Sequence, residues 1–327
     1  MSAQRPAIAA ALLLSCTLTA CGGAGSGNAL PSSQSEAAVA AESVAAFATS
    51  TSYTCPNAMT SSGKLDCTKL PLGDHKYYTN AQKAGYVYSC NALSGSPVVS
   101  SAPWLGTTTW NALIKTVVQG SVSWAGAFSS TLGTTERTIA DNGLPVKPET
   151  SGTFPIAKTD PAYAYDHNPN SIKTHSVSFS LPANPTIART PTCLGGGTIG
   201  YALDGVAIYD AFDAAGYDGG AHEVFDGCHG HPDASDTYHY HGWIQACVSD
   251  GGSATQNSGL IGYALDGFGI YGAWYNGKIL TSADLDECHG TTSAVMWNGK
   301  LTTIYHYVST YDFPYTLGCY RGTPVRV

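Results

Sequence analysis

The chain has 327 residues, with 15 Lys+Arg against 23 Asp+Glu and a formal net charge of −8. Only 12% of residues are charged, and the acidic balance argues against nucleic acid as a partner, since phosphate neutralisation needs a basic surface. A hydrophobic share of 43% excludes a wholly disordered chain.

In chain order, Arg5 precedes the apolar run Ala7–Leu14 and then Leu18-Thr19-Ala20-Cys21. A basic start, an apolar stretch too short to span a bilayer and small residues before a cut site describe a signal peptide over residues 1–20. Leu-Thr-Ala-Cys resembles a bacterial lipobox. That resemblance implies a lipoprotein held in the cell envelope by lipid on Cys21, with the membrane as its partner. Gly22 rather than Asp after the cysteine implies outer-membrane sorting. The alternative is a plain secretory signal. Residues 21–50, rich in Gly, Ser and Ala, are expected to form a flexible tether.

Residues 51–140 read as an N-terminal β-rich segment of unassigned role. Helices are expected only as short pieces, near Ala81–Tyr86, Thr108–Val118 and Ser282–Glu287, the last opening on a Ser cap. Ser121–Phe128 reads as a strand, Gly143–Asn170 as a long proline-containing loop, and Ser176–Leu181 as a half-buried strand alternating with period two. The expected fold is therefore mainly β with a few short helices.

The C-terminal part, 141–327, carries a duplication, about 198–247 and 260–320. Gly200-Tyr201-Ala202-Leu203-Asp204-Gly205 recurs as Gly262-Tyr263-Ala264-Leu265-Asp266-Gly267. Asp226-Gly227-Cys228-His229-Gly230 is answered by Asp286-Glu287-Cys288-His289-Gly290, and Tyr238-His239-Tyr240 by Tyr305-His306-Tyr307. Two copies are too few for a solenoid, so the expected form is a pseudo-symmetric domain of two related β-rich halves. Of the 10 cysteines, Cys16 falls in the signal and Cys21 at the lipid site, leaving an even number in an exported chain. Disulfides are the expected use. The duplication favours Cys228–Cys247 and Cys288–Cys319 as equivalent bridges, with Cys55–Cys67 closing a local loop.

The run from Ala221-His222-Glu223-Val224 through Asp226, Cys228 and His231 to Tyr238-His239-Tyr240-His241 resembles the YHYH-domain family of exported bacterial proteins. So do Leu265-Asp266-Gly267-Phe268, Leu285-Asp286-Glu287-Cys288 and Pro314-Tyr315-Thr316-Leu317-Gly318. The likeness runs from about Gly143 to Tyr320. It departs at Lys147, where relatives often carry a histidine, and it fixes kinship rather than an activity.

Alternate residues of a strand share a face, so His239 and His241 project together. With His231 they make a candidate metal site for zinc or copper. His229, Asp226 and Glu223 are further candidates, as ligands or as groups orienting an imidazole. An open position at such an ion would suit a metal-dependent hydrolase or oxidoreductase. Two other readings stand beside it, a structural hydrogen-bond network and metal-free acid–base chemistry. The second copy replaces His231 by Thr291 and His241 by Val308, which favours one site in the first half. Trp243, Trp274 and Trp297 fit either the core or a carbohydrate surface. The competing function is thus a metal-free module binding an envelope polymer, a small molecule or a protein partner.

Overall fold

The computed structural model describes residues 53–327. The signal peptide, Cys21 and the tether lie outside the described residues. No helix among those described is long and apolar enough to cross a membrane.

Eleven strands carry the argument. A three-stranded antiparallel sheet is formed by β1 (Phe128–Leu132), β2 (Glu136–Asp141) and β3 (Val177–Pro182). The larger sheet takes β4 (Thr198–Ala202), β5 (Ala207–Tyr209), β6 (Gly230–Pro232) and β7 (Tyr238–Tyr240) from the first copy. The second copy supplies β8 (Leu260–Ala264), β9 (Gly269–Gly272), β10 (Gly290–Trp297) and β11 (Lys300–Ser309). Its 8 strands run in the order β6-β7-β5-β4-β8-β9-β11-β10.

Each copy of the repeated motifs makes the same three pairings. The hairpin β4–β5 sets Gly200 opposite Ile208, and β8–β9 sets Gly262 opposite Ile270. A parallel pair follows, β5–β7 with Ile208 opposite Tyr240, and β9–β11 with Ile270 opposite Tyr307. Last comes an antiparallel edge, β6–β7 with Gly230 opposite Tyr240, and β10–β11 with Gly290 opposite Tyr307. The copies meet where β4 pairs antiparallel with β8 and Tyr201 faces Tyr263. Glycine is required on both sides of that seam. A Cβ on Gly200 would stand 2.6 Å from the Tyr263 carbonyl oxygen, and one on Gly262 2.7 Å from that of Tyr201.

Strands β4, β5, β7, β8 and β9 are buried almost throughout, the mark of a sheet covered on both faces. The three-stranded sheet covers part of it, with Phe179 against Tyr201 and with Ile139 and Leu181 beside Tyr263 and Trp297. Position 140 lies inside β2, which pairs with β3, so the structure continues across the expected segment boundary. Residues 53–127 hold only two-residue strands and a single 3-10 turn, and their buried side chains, among them Trp104, Trp110 and Val118, join the core of the larger sheet.

The helix expectations shrink on contact with the structure. Thr108–Val118 contains only a 3-10 turn, Ala112–Ile114, and Ala81–Tyr86 has no helix. At Ser282–Asp284 the cap is Thr281 rather than Ser282, in a capping box with Asp284. Ser121–Phe128 is not one strand: Val122–Ser123 pairs with Thr150–Ser151 and Phe128 opens β1. Four disulfides bind the fold: Cys55–Cys67, Cys90–Cys193, Cys228–Cys247 and Cys288–Cys319.

Candidate metal centre

The two faces of β7 do different work. Tyr238 and Tyr240 point to one side, where each phenol donates 2.7 Å to a buried carboxylate, Tyr238 to Asp226 and Tyr240 to Asp204. His239 points to the other side and meets His231 directly across the β6–β7 ladder. His241, one residue past the strand, completes the group.

The three imidazoles converge through their Nε2 atoms. His239 Nε2 lies 3.1 Å from that of His231 and 3.1 Å from that of His241. Glu223 follows the short helix α1 (Gly219–His222) and turns its carboxylate into the same space. Its Oε2 is 3.2 Å from His241 Nε2 and 3.7 Å from His231 Nε2. These four spacings are near the edge of about 3.3 Å expected between ligands at the usual zinc–nitrogen distance, and the three histidines alone form a group whose ligand atoms all lie within 4.8 Å of one another. All four residues are buried. The Tyr209 ring stacks on His239 at 3.8 Å, and Phe225 packs against His231 and His241.

The far sides of two rings decide the proton positions. His239 Nδ1 is 3.0 Å from the Thr237 carbonyl oxygen, and His241 Nδ1 is 2.5 Å from that of Asp210. A carbonyl only accepts, so each Nδ1 carries the hydrogen and each neutral ring presents a bare Nε2 lone pair inward. The His239–His241 contact is then acceptor against acceptor, whatever His231 and Glu223 do. Burial lowers the pKa of His239 to about 4 and of His241 to about 3, the latter also repelled by His239. His231 is likewise held well below its ordinary value, by burial and then by its two histidine neighbours. Burial first, with the nearby carboxylates Asp213 and Asp166, drives the Glu223 carboxyl well above its usual range. Glu223 Oε2 and His231 Nδ1 have no hydrogen-bond partner among the described residues.

Two of the sequence candidates stand elsewhere. Asp226 is spent on the turn: it accepts from the backbone N–H groups of Gly152, Cys228 and Gly230 as well as from Tyr238. It is pushed up to about 6 by burial against the pull of those donors. His229 sits at φ 64°, a left-handed conformation that swings its ring off the strand, where it stacks at 3.7 Å on Tyr53. Neither joins the histidine trio.

The second copy keeps the tyrosine face and loses the histidine face. Tyr305 donates to Asp286 and Tyr307 to Asp266, as Tyr238 and Tyr240 do in the first. On the other side Thr291 faces His306. The position of His241 is Val308, and the position three before Asp286, matching Glu223, is Ala283. His306 Nδ1 still meets a carbonyl, that of Ile304, at 3.1 Å.

Sequence reasoning missed the groups that complete the surroundings. The Asp210 and Thr237 carbonyls are backbone atoms and carry no residue-type signal. Lys115, fully buried, places its Nζ against the Gly220 carbonyl oxygen and over the Phe225 ring at 4.5 Å. Burial lowers its ammonium to about 7. Glu149 groups with Cys228 and Cys247, but their sulfurs are joined in a disulfide and offer no thiolate.

Residues 178–281 match the family model described as YHYH protein. No curated protein and no solved structure matches the chain.

Proposed function

From the premise that residues 178–281 form a YHYH-family segment, we propose that this protein is a metal-binding protein whose ion is held by the Nε2 atoms of His231, His239 and His241 and by Glu223. One observation carries the reading. Two imidazole acceptors, His239 Nε2 and His241 Nε2, lie 3.1 Å apart with their hydrogens committed to carbonyls on the far side. A cation between them turns a repulsion into shared coordination. The carboxylate adds the negative charge that a divalent ion needs in a buried site.

Three imidazoles with a carboxylate beside two of them suit zinc, which takes such ligands tetrahedrally, ahead of copper(II), which prefers tetragonal geometry. With four protein ligands, all buried, the arrangement favours an ion that is held rather than one that turns over substrate through an open position. The ion's chemical contribution would be charge and cross-linking. The protein's residues do the rest: Thr237 and Asp210 orient two rings, and Tyr209 and Phe225 exclude water.

The lipid anchor on Cys21 and the outer-membrane address belong to the same proposal, and the sequence motif is their support. Replacing Cys21 with Ser should move the protein from the membrane fraction to the soluble fraction.

The deciding test is metal content by mass spectrometry on purified protein carrying a tag without histidine, beside His239→Ala/His241→Ala. The expected result is near one equivalent of zinc or copper in the parent and none in the double variant, with melting still cooperative. A parent without metal after incubation with zinc and copper would overturn the proposal and leave the trio as a structural network.

A further inference from the structure

The two copies differ again at the turn Asp-x-Cys-His-Gly. In the second, x is Glu287, His289 Nε2 is bonded 3.0 Å from Thr310 Oγ1, and Cys288 and Cys319 are each 0% exposed. In the first, x is Gly227, and nothing lies within 4 Å of the place its Cβ would take. That turn borders a cleft of about 840 Å³, within the range of ligand sites. The cleft does not include the histidine trio.

The lining has a consistent chemistry. His229 is 6% exposed, is clasped by Tyr53 and by Trp243 at 4.8 Å, and its ring makes no hydrogen bond among the described residues. Its copy, His289, bonds Thr310 through Nε2 and is shut in the core with Nδ1 unpartnered among the described residues, so an imidazole that borders an open cleft is particular to the first copy. Glu149 also lines it, its carboxyl has no hydrogen-bonded partner among the described residues, and burial raises that carboxyl to about 7. Tyr311, half-buried, supplies aromatic surface above Trp243, which is only 4% exposed, and no Lys or Arg among the described residues lines the cleft.

We propose that this cleft binds a neutral oligosaccharide. Sugar hydroxyls both donate and accept, so they can satisfy an imidazole and a carboxyl together, while the C–H face of a sugar ring packs on Tyr311. The absence of cations in the lining disfavours phosphorylated or carboxylated ligands. Gly227 keeps the space open. The proposal does not rest on the metal site.

The test uses three probes, the tetrasaccharides of cellulose, of starch and of N-acetylglucosamine, titrated calorimetrically into the protein. At least one should bind saturably at one equivalent. Gly227→Trp, which fills the open space, should weaken it about tenfold or more, as should His229→Ala. Unchanged melting of Gly227→Trp reports an intact fold, and its metal content is read in parallel. Binding that survives in His239→Ala/His241→Ala separates this site from the metal reading. No saturable binding by any of the three, or undiminished binding by Gly227→Trp, would overturn the proposal.

Discussion

Tyr240 and Tyr307 perform the same task in the two halves of the sheet: each donates its phenol to the aspartate of a Leu-Asp-Gly turn, Asp204 and Asp266. Both carboxylates are buried, and both also accept from the backbone N–H two residues on, of Val206 and of Phe268. The tyrosines of the Tyr-His-Tyr motif are thus the structural members, locking turn to strand.

Tyr307→Phe should therefore cost about 1.5–3 kcal/mol, the range for a lost hydrogen bond to a charged group. Urea unfolding gives the value. Metal content should be untouched, because no proposed ligand lies in the second copy. A variant as stable as the parent would show that the phenol contributes shape alone.

Much of this was legible beforehand, for reasons that can be named. The repeated Gly-Tyr-Ala-Leu-Asp-Gly and Tyr-His-Tyr motifs are local and identical, so they fold alike and give matched strand pairings. The two-residue period of a strand places His239 opposite the tyrosine face. What local patterns could not separate was Glu223 from Asp226. Both are acidic and close in sequence, but Asp226 is captured by Gly152, far away in the chain, and only packing reveals that. His229 was lost to one positive φ. The cleft assembles from residues near 53, 149, 228 and 245 and has no period at all.

Glu223→Gln keeps the shape of the side chain and removes its charge. Zinc affinity, read by competition with a chromogenic chelator, should drop at least about tenfold, or about 1.4 kcal/mol. Equal affinity in the variant would leave a three-histidine site with the carboxylate as a bystander.

Acid should destabilise the fold through histidines held neutral. Burial lowers His289 to about 3, against about 6.5 for a free histidine. Between those values the unfolded chain binds a proton that the folded chain refuses. The stability linked to this group is complete above pH ~6.5 and falls by up to about 1.4 kcal/mol per pH unit toward pH ~3. His289→Asn, tolerable at its left-handed φ of 68°, should narrow the gap between urea midpoints at about pH 7 and pH 4.5. An unchanged gap would place the acid sensitivity in other groups.

Reduction should be ordered by access. Cys228 and Cys247 border the cleft, whereas Cys288 and Cys319 are sealed in the core. Under limiting reductant, alkylation followed by mass spectrometry should find the first pair labelled before the second. Simultaneous labelling would mean that the two bridges open only with global unfolding.

The four proposed ligands all lie within residues 223–241, and Cys228–Cys247 closes a loop that holds three of them. The sheet's central seam, in contrast, joins Gly200 to Ala264. Short loops close at lower entropic cost than long ones. A chain delivered from its N-terminus therefore holds every proposed ligand before β8 has arrived. An ion taken up at that moment would set the first half in shape, and the second half would assemble onto an edge already made rigid.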